Sequence, residues 1–359
     1  MPSEFDIIKK YFTRVTKAGF GLNLGVGDDA ALIRIQQGFQ LAASTDMLVS
    51  GTHFFADAAP YDIGWKALAV NVSDMAAMGA QPKWATLALA LPEVLPSPLQ
   101  GEGKGGGQHA KIHSTPTLAL PLKEGGKISE DWLAEFSRGF FACAEKFGVD
   151  LIGGDTTKGP LNICVTIMGE VPTGKALRRD GAQLGDDIWV SGMLGSAALA
   201  LAHLQDKLHS KFNLDDGYIE YCLNALHRPQ PRVSLGLALI DLAHSAIDIS
   251  DGLLSDLGHI LKASNVGAEI MLDKLPCSLF ISKHLHEKQI QQCLLAGGDD
   301  YELCFTAPPK MRAKIEKISA ELDLFITLIG SIHAGTGLVV IDENKQKITL
   351  EKTGYDHFT

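Results

Sequence analysis

The sequence predicts an α+β protein of two domains, and three observations carry that prediction. The chain has 359 residues, enough for two domains of ordinary size. Strand-like and helix-like stretches alternate irregularly, with β–β and β–α links mixed, which argues against one doubly wound parallel sheet. The stretch Val171–Leu184, carrying Arg178 and Arg179, reads as the crossing between two such regions. The expected domains are 1–171 and 172–359.

The elements follow in order. Glu4–Thr16 has the pattern of a short amphipathic helix, with Phe5, Ile8 and Phe12 on one side. LGVGDDAA (24–31) is a turn with two adjacent acids. Ala30–Ile35 and Gln40–Ser44 read as strands, the second running into Ser44-Thr45-Asp46. VSGTHFF (49–55) carries His53. Trp65–Ala80 is predicted helical, and Trp84–Leu91 is a strand. Residues 96–127 are rich in Gly, Pro and Lys and contain two similar pieces, PLQGEG and PLKEGG. Such composition buries too little apolar surface to offset ordering, so a disordered insertion is expected. Its GEGKGGG lacks the GxxxxGK[ST] spacing of a phosphate loop. Asp131–Phe147 resumes as a helix. Strands Val149–Ile152, ending in GGDTT, and Asn162–Gly169 follow.

Beyond the crossing come a strand, Asp187–Ser191, and an Ala/Leu helix to about His203. Helices are expected at Tyr218–Leu226 and Val233–Ala243, then a strand at Ser245–Asp251, a helix at Leu253–Ala263 and a strand at Ala268–Leu272. Cys293–Phe305 holds Gly297-Gly298-Asp299-Asp300 between apolar runs. Lys310–Leu322 reads as a helix, and Thr327–Ile332 and Gly337–Ile341 as strands.

Composition excludes several classes. Hydrophobic residues at 46% and charged residues at 21% match a soluble globular protein. A formal net charge of −10 argues against a nucleic acid or acidic membrane held by charge attraction. No run approaches a membrane span and Met1–Lys10 is no signal peptide, so a cytoplasmic location is expected. Six cysteines (143, 164, 222, 277, 293, 304) show no CxxC and lie in apolar surroundings, as buried free thiols would.

Asp74 is the single carboxylate inside the apolar run of the Trp65–Ala80 helix, with Asn71 one turn before it. A buried carboxylate must be paired, bind a metal or lose its charge. Lys66 lies two turns away, roughly 12 Å along the helix. Asp74 therefore either faces a cation shared with other acids or lies exposed on a surface helix. The pattern of apolar strand, small residues, then Asp recurs at Asp28/Asp29, Asp46, Asp155, Asp248/Asp251 and Asp299/Asp300. Each alone is an ordinary turn former. Together, with Ser44, Thr45 and Ser250 nearby, they offer hard oxygen donors, which select Mg²⁺, Mn²⁺ or Ca²⁺. There is no Walker A loop and no kinase catalytic-loop set, so phosphate charge would be met largely by metal. The residues alone thus point to a metal-dependent enzyme acting on phosphates.

These motifs, in this order, resemble the thiamine-monophosphate kinases of the aminoimidazole-ribonucleotide-synthetase-like superfamily. The likeness runs through GVGDDAA (25–31), ASTDMLVSGTHF (43–54), KALAVNVSDMAAMGA (66–80), LIGGDTT (151–157), AIDISDGLLSDLGHI (246–260), GGDDYELCFT (297–306) and GYDHF (354–358). The resemblance implies ATP-dependent phosphorylation of thiamine monophosphate to thiamine diphosphate. It implies a homodimer, with an N-terminal α/β domain whose sheet builds the dimer, a C-terminal α+β domain, and an active site in the cleft between them. It implies several Mg²⁺ ions on Asp29, Ser44, Thr45, Asp46, Asp74, Asp155, Asp248 and Asp251. ATP would meet Gly154, Asp155, Arg179 and Ser250, and thiamine monophosphate would meet His53, Asp299 and Tyr355. Asp299 stands where the family usually has Glu, and 96–127 is no part of the family pattern. The acceptor is already anionic, so direct in-line transfer without a protein general base is expected. Competing readings are a superfamily activity in which ATP activates an amide or selenide, and a non-catalytic Mg-nucleotide-binding protein.

Overall fold

The computed structural model describes residues 3–14, 21–95, 128–209, 212, 214–350 and 352–355. The insertion expected at 96–127 lies outside them.

The N-terminal domain is built on strands β1 (Phe39–Val49), β2 (Gln81–Leu91), β3 (Asp150–Lys158) and β4 (Asn162–Pro172), in the order β1-β4-β2-β3. β1 alternates: Ala42, Ser44, Asp46 and Leu48 are at least half-buried, whereas Ala43, Thr45 and Met47 are exposed. On the inner face lie helices α1 (Pro60–Ala77) and α2 (Glu130–Phe147). Pro60 opens α1, where its missing N–H costs nothing. From Ile63 to Ala77 every residue of α1 except Asp74 is buried, the signature of a helix enclosed on all sides. Its small residues permit that. A Cβ on Gly64 would collide with the carbonyl of Phe136, and one on Gly139 of α2 with the carbonyl of Tyr61. Ser129 caps α2, accepting from Trp132 N–H at 3.1 Å, and Gly148 ends it at a left-handed φ of 69°.

The C-terminal domain holds β5 (Asp187–Ser191), β6 (Ser245–Asp248), β7 (Gly267–Met271), β8 (Leu303–Ala307), β9 (Ile326–His333), β10 (Gly337–Ile341) and β11 (Lys347–Ile348). They form one seven-stranded sheet, order β6-β8-β5-β9-β7-β10-β11, in which only β7 and β10 are parallel. Helices α3 (Ser196–Leu204), α4 (Asp216–His227), α5 (Val233–Ala238), α6 (Leu253–Ser264), α7 (Lys288–Ala296) and α8 (Arg312–Leu322) accompany it. One core lies wholly within this domain. The other is continuous across the junction: Leu68, Val72 and Phe136 share it with Val233 and Leu235 of α5 and with Ala246 and Phe305. The domains are therefore tied by apolar packing around α1.

Several expected elements differ in extent. α1 begins at Pro60, five residues before Trp65, because Pro60 supplies the start signal. β1 continues past Ser44 to Val49, and β3 continues past Ile152 to Lys158, where a Cβ on Gly154 would collide with the Leu87 carbonyl of β2. The strand at Ser245 stops at Asp248, and α5 stops at Ala238. The first helix is α-helical at Glu4–Ile7 and π-helical at Ile8–Phe12, ending before Thr13. Cys164 and Cys277 are half-buried, whereas the other four cysteines are buried; all six are free thiols. Among the described residues no helix is long and apolar enough to cross a membrane.

The contact between α1 and α2 is testable. Gly64→Ala should lower stability by about 2 kcal/mol or more, because neither backbone can retreat without opening the shared core. Chemical denaturation checks this; an unchanged midpoint would show that the helices separate freely.

Candidate active site

A cavity of about 410 Å³ lies where β1 and α1 meet the C-terminal segments 248–251 and 298–301. The acids Asp46, Asp74, Asp248 and Asp251 line it, each delivered by local structure. Asp46 sits on the inner face of β1, its N–H donating to Asn71 Oδ1 at 3.2 Å. Asp74 lies one turn after Asn71 on α1 and accepts from Ser44 Oγ at 2.5 Å. Asp248 ends β6 and accepts from Ser73 Oγ at 2.7 Å. The following turn is held by Asp256: one oxygen accepts the N–H groups of Ser250, Asp251 and Gly252 at 3.0, 3.0 and 3.1 Å.

The electrostatics of this group are unfavourable to charge. Burial first, then Asp74 and Asp251, raise Asp46 to about 7. Burial and then Asp74 raise Asp248 to about 8, against the opposing hydrogen bond from Ser73. Burial raises Asp74 as well, while the Ser44 hydroxyl and the Arg179 charge pull it back. Burial takes Asp256 to about 7 despite its three N–H donors. Asp74 thus raises both Asp46 and Asp248, while the hydroxyls of Ser44 and Ser73 and the charge of Arg179 oppose the rise at Asp74 and Asp248. This donor set is all hard oxygen and fits Mg²⁺.

The structure divides the expected constellation. Among the described residues no three His, Cys, Asp or Glu side chains converge closely enough to hold an ion by themselves. Asp29, Gly154 and Asp155 line a separate cavity of about 790 Å³ at the β3 edge of the sheet, and all three are exposed. β4 and β2 lie between β1 and β3, so Asp46 and Asp155 are three strand spacings, about 14 Å, apart. They also occupy opposite faces. Asp46 is in register with Val165 and Leu87, whereas Asp155 is in register with Ala88, Cys164 and Met47. Within one chain they cannot share an ion. Thr45 alternates away from Asp46, and its hydroxyl is bonded to Thr166 Oγ1 at 2.8 Å on the outer face. Only its backbone is left on the side of the acids.

The expected nucleotide contacts are likewise spread. Ser250 lines the main cavity. Arg179 lines an adjoining one of about 450 Å³ together with Ser44, Asp74 and Arg178. Arg178 is engaged by Asp180 at 2.9 Å, and Arg179 acts on Asp74. The three expected acceptor contacts all line the main cavity. His53 Nδ1 accepts from Val49 N–H at 3.0 Å, which places the neutral ring's proton on Nε2. Asp299 pairs with Lys66 Nζ at 2.7 Å. Tyr355 is half-exposed, its N–H donating to the Asp251 carbonyl at 3.0 Å.

Two residues escape the sequence reading. Lys66 is distant from Asp74 along the helix, but it lines the same cavity. The spacing Lys66, Val70, Asp74 (i, i+4, i+8) puts all three on one helical stripe and is a usable signal. Asp256 has only the weak signal of an acid in a helix's first turn.

Fold and site together define an AIR synthase related protein. The N-terminal domain model of that class matches residues 27–120 and 110–171, and the C-terminal domain model matches 183–343. Within the class, the chain belongs to the thiamine-monophosphate kinase family of enzymes. It is 42% identical over 355 residues to the thiamine-monophosphate kinase of Escherichia coli (strain K12), covering 99% of this chain and 98% of that one. The crystal structure of thiamine-monophosphate kinase from Stenotrophomonas maltophilia K279a matches at 46% identity with a TM-score of 0.74, over 89% of this chain and 91% of that one. A structure of AaThiL complexed with AMPPCP and TMP matches at 28% identity with a TM-score of 0.69, over 99% and 97% of the two chains.

The acids make the cation-free protein's stability fall with rising pH. Asp46 and Asp248 bind protons more tightly folded than unfolded, so their stabilising contribution is complete below the unfolded value near 3.8 and is lost as pH rises toward about 7 and about 8. In chelator, Tm should decline between about pH 5 and pH 8, and magnesium should flatten the decline. A Tm that rises over this range in chelator would contradict the assignment.

Proposed function

We propose that this chain transfers the γ-phosphoryl group of ATP to the phosphate of thiamine monophosphate, giving thiamine diphosphate and ADP. The observation that carries this reading is one cavity joining the repelling acids Asp46, Asp74 and Asp248 to Asp299, His53 and Tyr355. The relatives' names, and the AaThiL complex with AMPPCP and TMP, support the same pairing of substrates.

Asp46, Asp74, Asp248 and Asp251, with the Ser44 hydroxyl, would hold magnesium. When bound, magnesium neutralises phosphate charge that this acidic chain cannot. Arg179, beside Asp74, holds a nucleotide phosphate, and Ser250 contacts the nucleotide from the turn fixed by Asp256. Asp299, His53 and Tyr355 orient the acceptor's rings, the tyrosine presenting its face to them. An acceptor phosphate oxygen, anionic near neutral pH, forms the new P–O bond. The bond from the γ-phosphorus to the β-γ bridging oxygen breaks, and ADP leaves. No side chain needs to take a proton, and none is phosphorylated.

Asp29, Gly154 and Asp155 serve the same reaction in a homodimer built on the outer face of the N-terminal sheet. That face exposes Met47 (52%) and Leu41 (44%), and the separate short strand Leu32–Ile33 exposes Leu32 (57%), apolar surface that a second copy would cover. ATP as co-substrate suits a cytoplasmic enzyme.

ADP release with a panel of acceptors tests the reading. Thiamine monophosphate should support turnover, and quenched single-turnover reactions with γ-labelled ATP should leave no label on protein. Asp74→Asn should reduce kcat by roughly a hundredfold or more, since it removes charge with little change of shape. Turnover with an amide acceptor instead, or near-normal activity in Asp74→Asn, would overturn it.

A further inference from the structure

Lys66 has no part in the reaction as described above, yet its surroundings are built. It is 5% exposed, and its Nζ lies 2.7 Å from Asp299 Oδ1. A buried ammonium is costly unless paired, so neither partner is readily released. Asp299 itself is held in the left-handed region, at φ 69°, its N–H donating to the Ser250 carbonyl at 2.9 Å. The next residue, Asp300, accepts from the N–H of Gly195 at 3.0 Å with both oxygens, tying the loop to the start of α3. The backbone of this loop is thus fixed from two sides, and Lys66 fixes the direction of the Asp299 carboxylate. With Oδ1 committed to Lys66, Oδ2 remains to accept from a ligand.

The neighbouring His227 does not compete for this role. Burial holds its imidazole below the usual value, opposed by Asp62 and helped by Lys66. Arg228 is engaged by Asp62 at 2.6 Å. Along α1 the pair stands eight residues from Asp74, about 12 Å of helix. That separation distinguishes the phosphate end of the cavity from the end that receives the acceptor's rings.

We propose that Lys66 is a positioning residue for acceptor recognition: its buried ammonium orients Asp299 so that the free carboxylate oxygen accepts from the amino group of the acceptor's aminopyrimidine. The inference rests on the reading that Asp299 contacts thiamine monophosphate.

Steady-state kinetics on Lys66→Met, Lys66→Arg, Asp299→Asn and the double variant Lys66→Met/Asp299→Asn test it. Lys66→Met should raise KM for thiamine monophosphate about tenfold or more, the size of a lost hydrogen bond to a charged group. KM for ATP and kcat should stay within about twofold, because no transition-state contact is touched. Lys66→Arg should recover most of the loss. In the Asp299→Asn background, Lys66→Met should add less than about twofold, since the two act as one unit. Asp299 is partly exposed, so Asp299→Asn probes the pair without threatening the fold. Equal losses for both substrates, or additive effects of the two substitutions, would overturn the inference. If the unaltered enzyme makes no thiamine diphosphate, the parent reading fails. If it does, and Lys66→Met leaves KM for thiamine monophosphate unchanged, this inference alone fails.

Discussion

The mutual repulsion of Asp46, Asp74 and Asp248 is the constraint around which the molecule is arranged. Three carboxylates from β1, α1 and β6 are half-buried or buried near one another; burial drives all three toward the protonated form, and the charge of Asp74 adds to it at Asp46 and Asp248. Other buried acids in this chain are treated differently. Glu302 is clamped by Arg232, and Asp187 by Arg312 at 2.6 and 2.7 Å. Those two acids are paired with an arginine, whereas Asp74 and Asp248 accept from the hydroxyls of Ser44 and Ser73. Such an arrangement is unfavourable for stability by itself, and it is of use to a ligand that brings positive charge.

The scaffold makes that arrangement possible through α1. Small residues let α1 approach α2, β4 and α5 closely, and the core it anchors runs through both domains. Ser73 and Asp74 therefore stand at a fixed distance from Ser44 on one side and Asp248 on the other. The C-terminal wall is stiffened separately, by Asp256 under the 250–252 turn and by Asp300 against the start of α3. Both are acids without a place in the chemistry, and both hold loops that have one.

Much of this is legible in the sequence, and the failures have physical causes. Asp46, Asp74, Asp248 and Asp251 are identifiable because Asp after an apolar strand, or inside an apolar helix, conflicts with burial. The helix at 65–80 and the strands at 84–91 and 187–191 follow from periodicity. What fails is long-range placement. Local patterns equate Asp155 with Asp46, since both follow a strand and small residues. The strand order β1-β4-β2-β3 sets them on opposite edges, and the register sets them on opposite faces. Thr45 also lines the cavity, but adjacent strand residues alternate, so its side chain does not share a face with Ser44 and Asp46. Lys66 looks remote when measured by its distance from Asp74 along the helix, because its partner comes from a loop more than two hundred residues later.

Asp46, Asp74 and Asp248 are prepared for a cation. Calorimetry of magnesium binding with a non-hydrolysable ATP analogue, repeated at pH 7 in buffers of different ionisation heat, counts the protons displaced. With Asp46 near 7 and Asp248 near 8, binding should release about one proton or more per site. Binding that releases none would show that these carboxylates do not receive the metal.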